Sequence, residues 1–314
     1  MPQLYFLNFG GSVGEMYEVF TFQKQSKAPT FQSAFLQKKG GVYHKLRRGV
    51  TEFEDANRLL HGHCNAFVKC IKDQNGNVKD FLFAHTTYDF YQNTLKIMKS
   101  IEIKIGDESW SALFPSYPGI IYSGDDFYLT GYGLVITETT LSALSPLAYQ
   151  HVDGTKSKYP DFMRVLGATL TAKTPYQWLN LMQKTTTGTY SSQWMIIDLN
   201  SFEASIGSPV LKKKTFYVAE QSTQRFIYKD FSVGLSDGTI PFWASFNTPY
   251  FAQIQSDLQA RTPSGVKDSY NPVPYYTQLP KYKIFEQYNP TTNTVEDLKK
   301  LIRLNRHGVD PNID

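Results

Sequence analysis

Two strand-like runs separated by Asp73-Gln74-Asn75-Gly76-Asn77 constrain this chain more than any other stretch. Asn-Gly between such runs is a strong hairpin signal, because both central positions of a tight hairpin turn need positive φ and these two residues tolerate it. In the first run Cys64, Ala66, Val68 and Cys70 alternate with Asn65, Phe67 and Lys69, the period of a strand with one face turned inward. The second run extends from Val78 to about Tyr88. With Asn75 and Gly76 as a two-residue turn, opposed residues share a constant index sum. That sets Cys64 opposite Thr87 and diagonal to His85 and Asp89 on the same face. A slip of one residue would carry every side chain to the other face. A thiol beside an imidazole and a hydroxyl is a candidate nucleophile with its partners.

The rest of the chain narrows what that nucleophile could belong to. At 314 residues, 41% apolar and 19% charged, the composition is globular, with length for one large core or two modest ones. The 32 basic and 28 acidic residues are spread along the sequence, so no basic block exists to track a phosphate backbone and no nucleic-acid partner is expected. Lys212-Lys213-Lys214 reads as a solvated loop. The opening Met1-Pro2-Gln3-Leu4-Tyr5-Phe6-Leu7-Asn8 lacks a positive n-region and has too short an apolar run for a secretory signal. No stretch approaches the roughly 18 apolar residues of a membrane span, so no transmembrane segment is expected. Cys64 and Cys70 would sit on one strand about 20 Å apart, too far to bond to each other. His61, His63 and Cys64 invite a zinc reading, but a closed site needs four ligands and only His44 or His85 could complete it, so no metal is expected. Gly131-Tyr132-Gly133 lacks the remaining glycine spacing of a dinucleotide loop, and no cofactor is expected. There is no Asn-x-Ser/Thr sequon.

Along the chain, Leu4 to Phe22 is apolar, and Thr51-Glu52-Phe53-Glu54 reads as a capping box opening a short helix that Gly62 ends. Tyr91 to Ile101 fits helix or strand, and Ser116-Tyr117-Pro118-Gly119 is a turn. Ile120–Tyr122, Asp126–Thr130 and Leu134–Thr139 read as a meander punctuated by glycines. Residues 156–185 switch to helical spacing, with Phe162, Val165 and Leu166 in one segment and Trp178, Leu179, Leu181 and Met182 in the next. Strands resume at Gln193–Leu199 and Thr215–Glu220, whereas 237–290, rich in Pro, Tyr and Asn, reads as irregular packed loop. Thr294-Val295-Glu296-Asp297 caps a last helix with Leu298, Leu301 and Ile302 on one stripe. The order of strands, helices, strands and helix predicts an α+β fold with largely antiparallel sheets.

A colinear set of segments resembles one family. Gly62-His63-Cys64-Asn65-Ala66-Phe67-Val68-Lys69, Phe83-Ala84-His85-Thr86-Thr87-Tyr88, Ser116-Tyr117-Pro118-Gly119, Asp125-Asp126-Phe127-Tyr128, Gly188-Thr189-Tyr190 with Gln193-Trp194-Met195, and Val218-Ala219-Glu220-Gln221 occur in order, followed by Trp243 to Pro249, Lys283-Ile284-Phe285 and the helix from Asp297 to Asn305. Together they resemble the phospholipase B-like family, the lamina-ancestor group. The resemblance implies an N-terminal nucleophile hydrolase: an αββα sandwich whose precursor is cut just before a cysteine. Carried to this chain, cleavage between His63 and Cys64 would divide it into 1–63, the end of the pro-region, and 64–314, the nucleophile-bearing domain. The freed α-amino group, with an ordinary pKa near 7.7 to 8.0, would take the thiol proton of the same residue. His85 would orient or polarise the reacting groups, and Thr87 would hydrogen-bond near Cys64. The implied substrate is a phospholipid ester or an acyl amide, the two cleavage fragments would stay associated, and the implied location is lysosomal or secreted.

Departures from the family pattern bear on activity. Ser191-Ser192 stands where the family has paired asparagines, leaving Ser192 as a shorter-armed candidate oxyanion donor. Losing such a donor costs about 100- to 1,000-fold in rate. Tyr88 replaces a tryptophan, and Pro280-Lys281-Tyr282 replaces Pro-Arg-Ala, exchanging a guanidinium for an ammonium. Family segments flanking Leu4 and Asp310 are missing, which predicts unpaired sheet edges and an incomplete sandwich. The alternative reading is a weak or inactive member kept as a lipid-binding or structural protein.

Overall fold

The computed structural model describes residues 64–87, 96–125, 127–141, 148–149, 152, 159–188, 190–259 and 276–304. The division at residue 63, the capping box at Thr51 and the position of Asp89 lie outside the described residues.

The hairpin forms as β1 (Cys64–Lys72) and β2 (Val78–Thr87). Its turn differs from the expected two-residue loop. Gly76 N donates to the Asp73 carbonyl at 3.0 Å and Asp73 N to the Asn77 carbonyl at 2.9 Å, with Gly76 at φ +80°. The Asp73 Oδ1 accepts from Asn75 N and Asn77 N at 2.9 and 2.8 Å, which fixes the turn one residue earlier and places only Gly76 in the left-handed region. A register shift between Ile71 and Lys72 compensates the longer loop, so beyond it Ile71 faces Asp80 and Cys64 faces Thr87.

Seven further strands form a second antiparallel sheet in chain order: β3 (Ile97–Ile105), β4 (Glu108–Ser116), β5 (Phe127–Thr130), β6 (Leu134–Thr140), β7 (Ser192–Asp198), β8 (Phe216–Gln221) and β9 (Phe226–Asp230). The ambiguous stretch ending at Ile101 is therefore strand where it is described. Gly106, at φ +61°, and Asp107 turn it into β4, a strand the sequence reading omitted. Ile120–Tyr122 is not a strand; Ile120 N closes the expected Ser116–Gly119 turn on the Tyr117 carbonyl. The segment expected to be irregular holds β10 (Trp243–Ser245), which adds to the outer edge of β1, with Ala66 facing Ser245.

The layers follow from which faces are apolar. Ala66, Val68 and Cys70 of β1 pack against Val135, Met195, Ile197 and Val218 of the larger sheet, so the two sheets meet face to face. The reverse face of that sheet, with Ile136, Trp194, Ile196 and Ala219, is covered by Val165 and Ala168 of α1 (Asp161–Thr171) and Trp178, Leu179 and Met182 of α2 (Pro175–Lys184). Because β7 is covered on both sides, all seven of its residues are buried, which explains its continuous apolar run. Thr174 caps α2 by accepting from Gln177 N, and Pro175 occupies the first turn, where its missing N–H is no loss. Short helices α3 (Leu199–Glu203), α4 (Ser232–Asp237) and α5 (Ala252–Gln259) follow β7, β9 and β10. On the far side, Phe67 and Leu82 meet Phe285 of α6 (Pro280–Tyr288) and Leu298 and Leu301 of α7 (Val295–Ile302). Thr294 and Asp297 make the expected capping box of α7. Helices, sheet, sheet and helices thus stack as the predicted αββα sandwich, and Phe67, expected to face outward, is buried by the outer helices.

Candidate active site

Cys64 is the first residue of β1, and its surroundings are fixed by three chain segments. Its Sγ lies 3.8 Å from the Thr87 Oγ1 across the hairpin, and its backbone N donates to the Asn247 Oδ1 at 3.2 Å. Asn247 Nδ2 donates in turn to the Thr140 carbonyl at the end of β6, at 2.8 Å. One amide side chain therefore ties the start of β1 to the opposite sheet. Asn247 has φ +67°, a conformation that Asn adopts more readily than other side chains. Just before it, Ser245 Oγ and Thr139 Oγ1 are hydrogen-bonded at 2.6 Å, a second buried link between the sheets.

His85 pairs with Ala66 and so lies diagonal to Cys64 on the face that points at the larger sheet. Burial holds its imidazole down to about 4, the Glu138 backbone opposing through a hydrogen bond and the Lys96 ammonium adding to the depression. Nε2 is buried with no hydrogen-bond partner among the described residues. His85, Thr86 and Thr87 line a pocket of about 360 Å³ with Lys96, Met98, Pro115, Asp125 and Phe127. Lys96 Nζ and Asp125 Oδ1 are paired at 2.6 Å, so the pocket has a charged end and an apolar one. Cys64 is only 4% exposed and does not itself line this pocket, but its thiol meets the lining residue Thr87. Lys281 of α6 also feels the thiol: burial lowers its ammonium and the Cys64 sulfur opposes that shift.

Of the four residues picked from sequence, Cys64, His85 and Thr87 come together as the hairpin register implied. Ser192 pairs with Thr140, whose carbonyl accepts from the Asn247 amide, and its hydroxyl donates to the Tyr190 carbonyl at 3.0 Å. The sequence reading missed Asn247. Its signal was present in Asn247-Thr248-Pro249, an Asn able to take positive φ ahead of a proline, but the three-residue strand before it was too short to show a period. Among the described residues no three His, Cys, Asp or Glu gather where they could hold a metal ion, and no helix is long and apolar enough to cross a membrane.

A cysteine thus opens a strand of an antiparallel αββα sandwich, with its thiol and its backbone nitrogen each met by a side chain. Residues 1–313 match the family model described as Phospholipase B, and the chain belongs to that family. Phospholipase B-like 2 of Rattus norvegicus is 31% identical over 80% of this chain and 42% of its own length, and that of Mus musculus is 32% identical over 80% and 41%. A protein named phospholipase B from Crotalus adamanteus is 27% identical over 92% of this chain and 52% of its own. The chain thus spans about half or less of the length of these relatives. Among solved structures, it is similar to a Caenorhabditis elegans N-acylethanolamine-hydrolyzing acid amidase ortholog, with TM-score 0.45, 10% identity, and 78% and 89% of the two chains covered. A mutant conjugated bile acid hydrolase from Clostridium perfringens gives TM-score 0.34 at 13% identity, covering 60% and 55%.

Proposed function

We propose that this chain hydrolyses acyl bonds of phospholipids, esters foremost and amides as the related case, with Cys64 as an N-terminal nucleophile released by cleavage between His63 and Cys64. The observation that carries this reading is the two-sided grip on one residue: Asn247 on the Cys64 nitrogen and Thr87 on its sulfur. A nitrogen held in place becomes, once the preceding peptide bond is cut, an amine with a defined lone pair beside its own thiol. That amine takes the thiol proton, the sulfur attacks the ester carbonyl, the C–O bond breaks, and the proton leaves with the alcohol. Water then attacks the thioester, releasing the fatty acid and restoring the thiol. His85, neutral through burial, offers Nε2 to a reacting oxygen or water from inside the pocket. The apolar side of that pocket, Met98, Pro115 and Phe127, suits an acyl chain, and Lys96 suits an anionic head group. The family's name supplies the lipid; the lysosomal or secreted location is part of the same proposal and comes from the family resemblance.

Intact-mass measurement tests it. Two fragments dividing before Cys64 are expected, Cys64→Ala should leave the chain whole, and mature protein should release fatty acid from phosphatidylcholine vesicles. A whole, folded chain without hydrolysis would sink the reading and support a lipid-binding role. The Ser192 hydroxyl, turned to Tyr190 instead of the pocket, is the observation that favours that second reading.

A further inference from the structure

Behind the site runs a fully buried polar chain. Trp243 Nε1 donates to Gln193 Oε1 at 3.1 Å, and Gln193 Nε2 donates to Glu220 Oε1 at 2.6 Å. Glu220 also accepts from the backbone N of Tyr250 at 2.5 Å on Oε1 and from that of Phe251 at 2.9 Å on Oε2. An indole N–H can only donate, so it fixes the Gln193 amide with its oxygen toward Trp243 and its nitrogen toward Glu220. All three groups reaching Glu220 are therefore donors, and both carboxyl oxygens act as acceptors.

The segment from Ser245 to Phe251 is held at two ends. Ser245 pairs with Ala66 in the smaller sheet, and Tyr250 and Phe251 hang on Glu220 in the larger one. Asn247 lies between those anchors, and with both ends held its left-handed backbone at φ +67° is one defined turn in place of several accessible ones. We propose that Glu220 is a positioning residue: by accepting from the N–H groups of Tyr250 and Phe251 it fixes the loop that presents Asn247 to the Cys64 nitrogen, so that the order of the site follows its ionisation. The proposal rests on the reading of Cys64 as the nucleophile.

Burial pushes the Glu220 carboxyl up to about 7 against the pull of its three donors. The titratable groups that face it are the phenols of Tyr250 and Tyr276, both raised by burial and, secondarily, by Glu220 itself. A protonated carboxyl would turn an O–H toward donors, and one of the three contacts would open. Acid therefore loosens the Asn247 loop while it relieves a buried charge, and the local and global responses to pH have opposite sign.

Amide hydrogen exchange on the full chain, corrected for intrinsic rates, tests this without requiring catalysis. In the wild type the protection of the peptide spanning Asn247 to Phe251 should fall at least tenfold from pH 8 to pH 5.5. Glu220→Gln should be poorly protected at both pH values. It should also lose roughly tenfold in kcat with KM within twofold, together with any inflection near pH 7 in the rate profile. Trp243→Phe frees the Gln193 amide to turn its oxygen toward a protonated Glu220, so the midpoint of the protection change should move up by about one pH unit. That variant and the wild-type series decide the matter if Glu220→Gln does not fold. Equal wild-type protection at both pH values, or a Trp243→Phe midpoint unchanged, would overturn the proposal. Cys64→Ala retaining hydrolysis would instead overturn the nucleophile reading and leave the exchange result standing.

Discussion

The corner that holds Cys64 and the polar chain around Glu220 are built from the same two sheets, yet they close their hydrogen bonds differently. Around Glu220 each carboxyl oxygen, both ends of the Gln193 amide and the Trp243 indole have partners. At the corner, His85 Nε2 is buried without one among the described residues. A buried polar atom left unpaired costs about 1–3 kcal/mol, so a fold tolerates one mainly where something else is to fill it. The same cause moves the two titrations apart: desolvation favours the neutral form, pushing Glu220 up to about 7 and His85 down to about 4. Between those two values both groups are predominantly neutral. One region supplies rigidity, and the other keeps an atom available.

Experiments that break this contrast rank by the size of their effect. Cys64→Ala should abolish both chain cleavage and fatty-acid release while leaving the melting temperature close to that of the wild type, read by intact mass, vesicle hydrolysis and calorimetry. Asn247→Gly keeps the backbone free to adopt positive φ and removes the amide with both its contacts, so a drop of about 100-fold in kcat with intact folding is expected from losing the link between the Cys64 nitrogen and the Thr140 carbonyl. A loss under threefold would show that the nitrogen needs no anchor.

The two pH responses sharpen the comparison further. Glu220 is raised in the folded state, so its contribution to stability is full below its ordinary range and is lost as pH rises through about 7. The pH-dependent loss of stability across that window, on the order of 3 kcal/mol for such a shift, should vanish in Glu220→Gln when unfolding is followed in urea. His85 is depressed, so its contribution is present above its ordinary range and disappears as pH falls through about 4. Imidazole resonances in NMR should accordingly report His85 as neutral at pH 5.5, and a protonated ring there would contradict its burial. Smallest of all, Ser192→Ala should change the rate less than threefold and cost under about 1 kcal/mol of stability, because the Tyr190 carbonyl keeps a donor in Gln221 Nε2 at 2.9 Å. A rate loss near 100-fold would restore Ser192 as an oxyanion donor.

Residues close in sequence were legible wherever a local rule governed them. The capping box at Thr294 and Asp297 and the helical spacing that α1 and α2 show within 156–185 follow from side-chain caps and periodicity within a few residues. The hairpin turn was misread, and its register survived because a one-residue bulge at Ile71 and Lys72 offsets a loop one residue longer. β4 was overlooked although Gly106-Asp107 marks its hairpin, since its Glu108–Ser116 run mixes serine and charge with aromatics. The 237–290 segment looked irregular because β10 has three residues and takes its ladder from β1, far away in the chain.

What the sequence determined alone was the hairpin, the helix ends and the face on which Cys64, His85 and Thr87 meet, because each depends on dihedral preferences and alternation over short spans. Only the tertiary structure decided that Asn247 would hold the Cys64 nitrogen, that the Ser192 hydroxyl would turn to Tyr190, and that burial would neutralise His85 and Glu220 in overlapping pH ranges. Those outcomes depend on groups brought together by sheet-on-sheet packing. Desolvation and long-range hydrogen bonds are properties of the assembled interior, which no local pattern of residues encodes.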